Sequence, residues 1–96
     1  MYAVTFDIDT NSLGDAYHTP SISNAYGDIR KFMESNGFIW QQGSVYFGDE
    51  NMNAVKCVTT VQKLAKLYPW FSACAKDVRM LRIEENNDLM EAINFS

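Results

Sequence analysis

Positive charge is scarce in this 96-residue sequence: eight Lys and Arg stand against twelve Asp and Glu, for a formal net charge of −4 at pH 7. A chain of that sign lacks the broad phosphate-binding surface whose affinity comes from counterion release, so any contact with nucleic acid has to be local and transient. Histidine occurs once, as His18, and a single imidazole cannot supply both the acid and the base of a histidine-pair ribonuclease mechanism. Cysteine occurs twice, at Cys57 and Cys74, with neither CxxC spacing nor the companions that a zinc site needs. Cys57 falls within a helical pattern, where packing is the expected role. No apolar run approaches the roughly 20 residues of a membrane span, and Met1-Tyr2-Ala3-Val4 leads directly into strand-like alternation without a basic leader. No membrane association and a cytoplasmic location are the expectation.

What is present is enough for one core. Apolar residues make up 47% and aromatics 14%, which suits a single domain spanning residues 1–96. Tyr2 to Ile8 alternates with a period of two, Tyr2, Val4, Phe6 and Ile8 on one face and Ala3, Thr5 and Asp7 on the other. Asp9 to Pro20 is polar and reads as a long loop. Ile22, Ala25, Tyr26, Ile29, Phe32 and Met33 keep helical spacing up to Asn36-Gly37, a helix stop. Phe38 to Gln41 and Ser44 to Phe47 flank Gln42-Gly43, a hairpin signal. Asp49 is placed to cap a second helix with a stripe of Met52, Val55, Val58, Val61, Leu64 and Ala65, which Tyr68-Pro69-Trp70-Phe71 breaks. Asp77 to Glu84 forms a fourth strand, and Asn87 can cap a closing helix carrying Leu89, Met90 and Ile93.

The order β-α-β-β-α-β with a short C-terminal helix predicts an α+β, ferredoxin-like fold: a four-stranded antiparallel sheet with helices on one face. Its first strand is central, flanked by the third and the fourth. Asp7, Ser44 and Asp77 then fall along one rim. With Val4, Phe6, Val45, Phe47, Val78 and Met80 facing the helices, all three polar residues face away, together with Tyr46, Arg79, Leu81 and Ile83. Ala3, Tyr46, Leu81 and Ile83 make that face too apolar to be left in water.

Four stretches, taken in order, carry a resemblance: Met1-Tyr2-Ala3 with Phe6-Asp7; Gly37-Phe38-x-Trp40-x-Gln42-Gly43-Ser44-Val45-Tyr46; Trp70-Phe71; and Asp77-Val78-Arg79 with Arg82-Ile83-Glu84. They resemble the virulence-associated protein D (VapD) family, small bacterial ferredoxin-fold endoribonucleases related in fold to the small CRISPR-associated nuclease. The resemblance implies a homodimeric ribonuclease cleaving single-stranded RNA, which in some members is the toxin of a toxin–antitoxin pair, with an antitoxin protein as partner. It implies functional roles for Ser44, Asp77 and, in the first loop, Leu13, and it matches Asp7 to a carboxylate of the CRISPR-associated relatives. Asp9 looks like an addition to the usual pattern.

The site expected from these residues has Asp7, Ser44 and Asp77 as catalytic groups, Leu13, Tyr46 and Arg79 as substrate contacts, and Asp7 as the ligand for Mg²⁺ if the reaction uses a metal. Tyr46 and Trp40 could stack a base, although core or dimer packing competes for both. A carboxylate working on the RNA's own 2′-hydroxyl without metal is the other route. The rival class is a ferredoxin-fold dimer that binds a protein or RNA partner and cleaves nothing.

Overall fold

A computed structural model describes residues 1–16 and 22–94. The order is β1 (Tyr2–Ile8), α1 (Thr10–Ala16), α2 (Ile22–Ser35), β2 (Phe38–Gln42), β3 (Val45–Gly48), α3 (Ala54–Leu67), α4 (Pro69–Cys74), β4 (Ala75–Arg82) and α5 (Met90–Ile93). The strands form one antiparallel sheet in the order β2-β3-β1-β4. This is the ferredoxin-like arrangement expected, with β1 inside and the main helices packed on one face.

Local chemistry explains most of the boundaries. Gly37 takes φ +87° after α2 and Gly43 takes φ +46° in the hairpin, conformations that favour glycine. The segment from Asp9 is not a loop throughout. Asp9 caps α1, accepting from the Asn11 backbone N–H (3.1 Å) and the Ser12 hydroxyl (2.8 Å). Its own N–H donates to the Cys74 carbonyl (2.9 Å), tying α1 to the end of α4. The cap of α3 is Asn53, whose side chain accepts from Lys56 N–H (2.9 Å), rather than Asp49. Asp49 instead closes a turn onto Asn51 N–H (2.9 Å). Pro69 does end α3, but it also starts α4, because proline at a first helical position sacrifices no needed donor. In the closing turn Asp88, not Asn87, accepts from Met90 N–H.

Two packing expectations need correction. On α3 the buried residues are Cys57, Thr60 and Leu64, whereas Val55 and Val58 are exposed. Met52 and Leu64 of the stripe read from the sequence are buried and Val61 packs against the core, so the correction is confined to Val55 and Val58. On β3, Tyr46 rather than Val45 or Phe47 faces the helices. Tyr46 sits opposite Val4 in the β1 register and stacks on Phe6 with ring centroids 5.9 Å apart. Val45-Tyr46-Phe47 is apolar at every position, so alternation could not decide its parity; the central strand does.

The α3 correction can be measured. Leu64, 1% exposed, should cost about 2–5 kcal/mol when truncated to alanine, while Val55→Ala, at a 72% exposed position, should stay within about 0.5 kcal/mol. Urea unfolding curves of the two variants check this; equal losses would return Val55 to the buried stripe.

Candidate functional site

Period-two alternation in β1 sends Phe6 towards the helices and Asp7 to the opposite face, and the β1–β4 register sets Asp7 directly across from Asp77. Two carboxylates opposed on neighbouring strands repel, so the pair is a cost to the sheet rather than a support. Arg79, two residues along the same face, donates from Nε to both oxygens of Asp77 (3.1 and 3.0 Å). That pair is largely exposed, so it orients Asp77 and offsets repulsion more than it stabilises the fold. The ladder shifts register between Asp7 and Ile8, a bulge of the kind that re-aims side chains at strand ends. Asp7, Asp77 and Arg79 are thus brought together on the helix-free face, as expected.

Ser44 is at the same rim but not on the same face. Its carbonyl accepts from Phe6 N–H (3.2 Å), which fixes it beside the end of β1. The residue lies in the hairpin turn before β3 and lines a cleft on the helix side with Tyr26, Gly27, Arg30, Trp40, Gly43 and Tyr46. The expected convergence of Ser44 with the two aspartates on one face therefore does not occur, for the same reason that Tyr46 turned inward. The cleft has a volume of about 460 Å³. Within it the Arg30 guanidinium lies 4.3 Å from the centre of the Trp40 ring, and the indole Nε1 donates to the Gly43 carbonyl (3.0 Å).

Leu13 is buried in the core on α1, anchoring that helix, so its side chain is not at the surface. His18 lies outside the described residues. Asp9, whose place in the pattern the sequence left open, is the α1 cap; the Ser12 hydroxyl bond holds its carboxyl below the usual range and keeps it ionised. Cys57 is buried, and desolvation pushes its thiol up, in keeping with packing rather than nucleophilic chemistry. Among the described residues no three His, Cys, Asp or Glu side chains gather into a metal cage. Mg²⁺ does not need one, since it is held by one or two carboxylates, retained waters and substrate phosphate. Asp7, exposed at the rim, fits that donor set, whereas both oxygens of Asp77 already accept from Arg79. Among the described residues no helix is long and apolar enough to cross a membrane.

Comparison with known proteins agrees with this architecture. Residues 1–90 match the family model described as CRISPR associated protein Cas2. The chain is 68% identical over 95 residues to an "Endoribonuclease VapD homolog" of Helicobacter pylori, covering 99% of this chain and 98% of the relative. It is 61% identical over 94 residues to "Endoribonuclease VapD 2" of Riemerella anatipestifer, covering 98% of this chain and all of the relative (100%). "Endoribonuclease VapD" of Haemophilus influenzae is 33% identical over 97 residues, covering 97% of this chain and 98% of the relative.

The inward turn of Tyr46 has a titration signature. Burial raises its phenol to about 12, with the Glu34 carboxylate adding to the rise and Arg30 opposing it. Because the folded chain holds this proton more tightly than the unfolded chain, its contribution is fully present below pH 10 and is lost between pH 10 and about 12. The stability of the native chain relative to Tyr46→Phe should fall by up to about 3 kcal/mol across that window. Denaturant titrations at stepped pH check this, and a difference that stays flat would return Tyr46 to solvent.

Proposed function

The chain belongs to the VapD and Cas2-related family, and from that premise we propose that it is an endoribonuclease whose chemistry is carried by Asp7 and Asp77 on the helix-free face of the sheet. The supporting observation is the opposition of the two carboxylates at the end of β1, an arrangement that weakens the sheet and that folding alone does not call for. Asp7 is exposed and can take a proton from an attacking water as its oxygen bonds to phosphorus, while the bond from phosphorus to the leaving ribose oxygen breaks and that oxygen takes a proton from solvent. Arg79, held by Asp77, supplies positive charge beside the phosphate in a chain that is otherwise acidic. Asp7 is also the residue that would hold Mg²⁺, which supplies charge neutralisation and an activated water when bound. Ser44, on the other side of the rim, is read as a substrate contact that steadies the RNA beside the cleaved bond.

The protein is further read as a homodimer acting on single-stranded RNA in the cytoplasm, and as the toxin of a toxin–antitoxin pair whose antitoxin is a second small protein. The toxin reading rests on the family likeness. The dimer reading is supported by Leu81, 44% exposed at the apolar end of the helix-free face, where it lies across the buried Ala3 from the half-buried Phe47. Phe47 takes the place in that patch that the sequence had given to Tyr46. A second supporting feature is the exposed edge of β4, since unpaired strand edges are normally covered.

Asp7→Asn and Asp77→Asn should each lower RNA cleavage at least about tenfold, or roughly 1.4 kcal/mol of transition-state stabilisation, while Asp7→Asn, which relieves the repulsion, leaves Tm unchanged or raises it. EDTA should abolish cleavage and Mg²⁺ restore it. Products ending in 2′,3′-cyclic phosphate, formed undiminished in EDTA, would replace hydrolysis with attack by the RNA's own 2′-hydroxyl. Full activity in both variants would remove the aspartates from the site. For the assembly, sedimentation equilibrium at micromolar concentration should return twice the 10.9 kDa chain mass; a monomer would refute the dimer.

A further inference from the structure

Gly27 sits mid-helix in α2, where glycine weakens a helix relative to alanine. Its backbone does not adopt a left-handed φ, and a Cβ added there would meet no atom within 4 Å. Neither conformation nor close packing therefore calls for glycine at this position. What the position does is line the cleft with Tyr26, Arg30, Trp40, Ser44 and Tyr46, and the missing side chain keeps that wall open.

The cleft's chemistry selects among ligands. Trp40 and Tyr46 are register partners on β2 and β3, and the Arg30 guanidinium lies over the indole, so the walls are planar π surfaces. The Trp40 bond to the Gly43 carbonyl fixes the indole in place before any ligand arrives. The Ser44 and Arg30 side chains supply a hydroxyl and N–H donors among otherwise apolar walls. Arg30 also bonds Glu34 (3.3 Å) in an exposed pair that orients the guanidinium plane over the indole, and a flat ring is the shape that fits such walls. The volume of about 460 Å³ falls within the roughly 300–1,000 Å³ of small-molecule pockets. Ser44, which lines the cleft, accepts through its carbonyl from Phe6 N–H, one residue from Asp7.

We propose that this cleft is a base-binding subsite for single-stranded RNA, in which one unstacked nucleobase lies against Trp40 and Arg30 while its backbone crosses the rim towards Asp7 and Asp77. The proposal rests on the ribonuclease reading and adds to it the place where a base is read, on the opposite side of the sheet from the cleaved phosphate. Aromatic and guanidinium surfaces are the usual platforms for unpaired bases, and they do not require a basic protein. The subsite thus gives an acidic chain a way to hold RNA locally.

The test separates binding from cleavage. Anisotropy of a fluorescein-labelled 2′-O-methyl oligoribonucleotide, its length verified on a gel, gives Kd, and cleavage of unmodified RNA gives KM and kcat. Gly27→Leu, which fills the wall, and Trp40→Ala, which removes the platform, should each raise Kd and KM about tenfold, with kcat falling by less than KM rises. Gly27→Ala should raise Tm and weaken binding less than Gly27→Leu. Circular dichroism confirms that each variant is folded, and Trp40→Ala carries the test if Gly27→Leu is not. Native Kd and KM in folded Gly27→Leu and Trp40→Ala would overturn the subsite while leaving the ribonuclease reading intact. Binding that is sensitive to both variants in a preparation that cleaves no RNA would overturn the ribonuclease reading and keep the subsite.

Discussion

The alternation of β1 is the constraint on which the remaining geometry depends. Val4, Phe6 and Ile8 are buried beneath the helices, and because β1 is paired on both sides, its parity is imposed on β3 and β4 alike. A one-residue slip would carry the Val4–Phe6–Ile8 set into solvent, at a cost of roughly 1.5–3 kcal/mol for each large side chain. Register is therefore firmly held where the candidate site lies. The peptide link between Phe6 and Asp7 divides that site. On one side stands the Phe6 ring, stacked on Tyr46 and edge-on to Phe71 (5.6 Å); on the other stands the carboxylate facing Asp77.

Electrostatics follows from the same division. The chain's net charge of −4 gives no general attraction for phosphate, so cations matter where they are placed. Arg79 is committed to Asp77 and Arg30 to Glu34 and the Trp40 ring, so each is oriented by an acidic neighbour. Asp9 lies close to the catalytic candidates in sequence but is spent on capping α1, which leaves Asp7 as the carboxylate of Phe6-Asp7-Ile8-Asp9 that faces Asp77.

Much of this was legible in the letters, for identifiable reasons. The β1 alternation sets large apolar residues at Val4, Phe6 and Ile8 against Ala3, Thr5 and Asp7, so the parity of Asp7 could be read directly, and with it the meeting with Asp77. Gly37 and Gly43 marked turns that the backbone uses with positive φ. Ser44 and Tyr46 were misassigned because β3 is apolar at both parities and the ladder shifts register between Trp40 and Gln42, so neither alternation nor turn length fixed the phase. The α3 stripe holds at Met52, Val61 and Leu64 but not at Val55 and Val58, which are apolar yet exposed, since helix β-branched residues carry no label of burial. The cleft was only half visible. Trp40 and Tyr46 were candidates for stacking, but the contributions of Gly27 and Arg30 depend on how α2 crosses β2, which has no local sequence signal.

The helix-free face is itself divided lengthwise. Towards one end it carries Thr5, Asp7, Asp77 and Arg79, and towards the other Ala3, Phe47 and Leu81. The C-terminal segment, with Leu89, Met90 and Ile93, lies beside Phe47, Gln41 and Gln42 at the apolar end. Hydrophobic burial acts where apolar area can be removed from water, so a partner chain gains most by covering Phe47 and Leu81. Covering the opposed aspartates would desolvate two like charges and add cost. The face thus favours association at one end and access at the other. Association through the apolar end would leave Asp7 and Asp77 at an open rim, which is the arrangement that the proposed site on these two carboxylates requires.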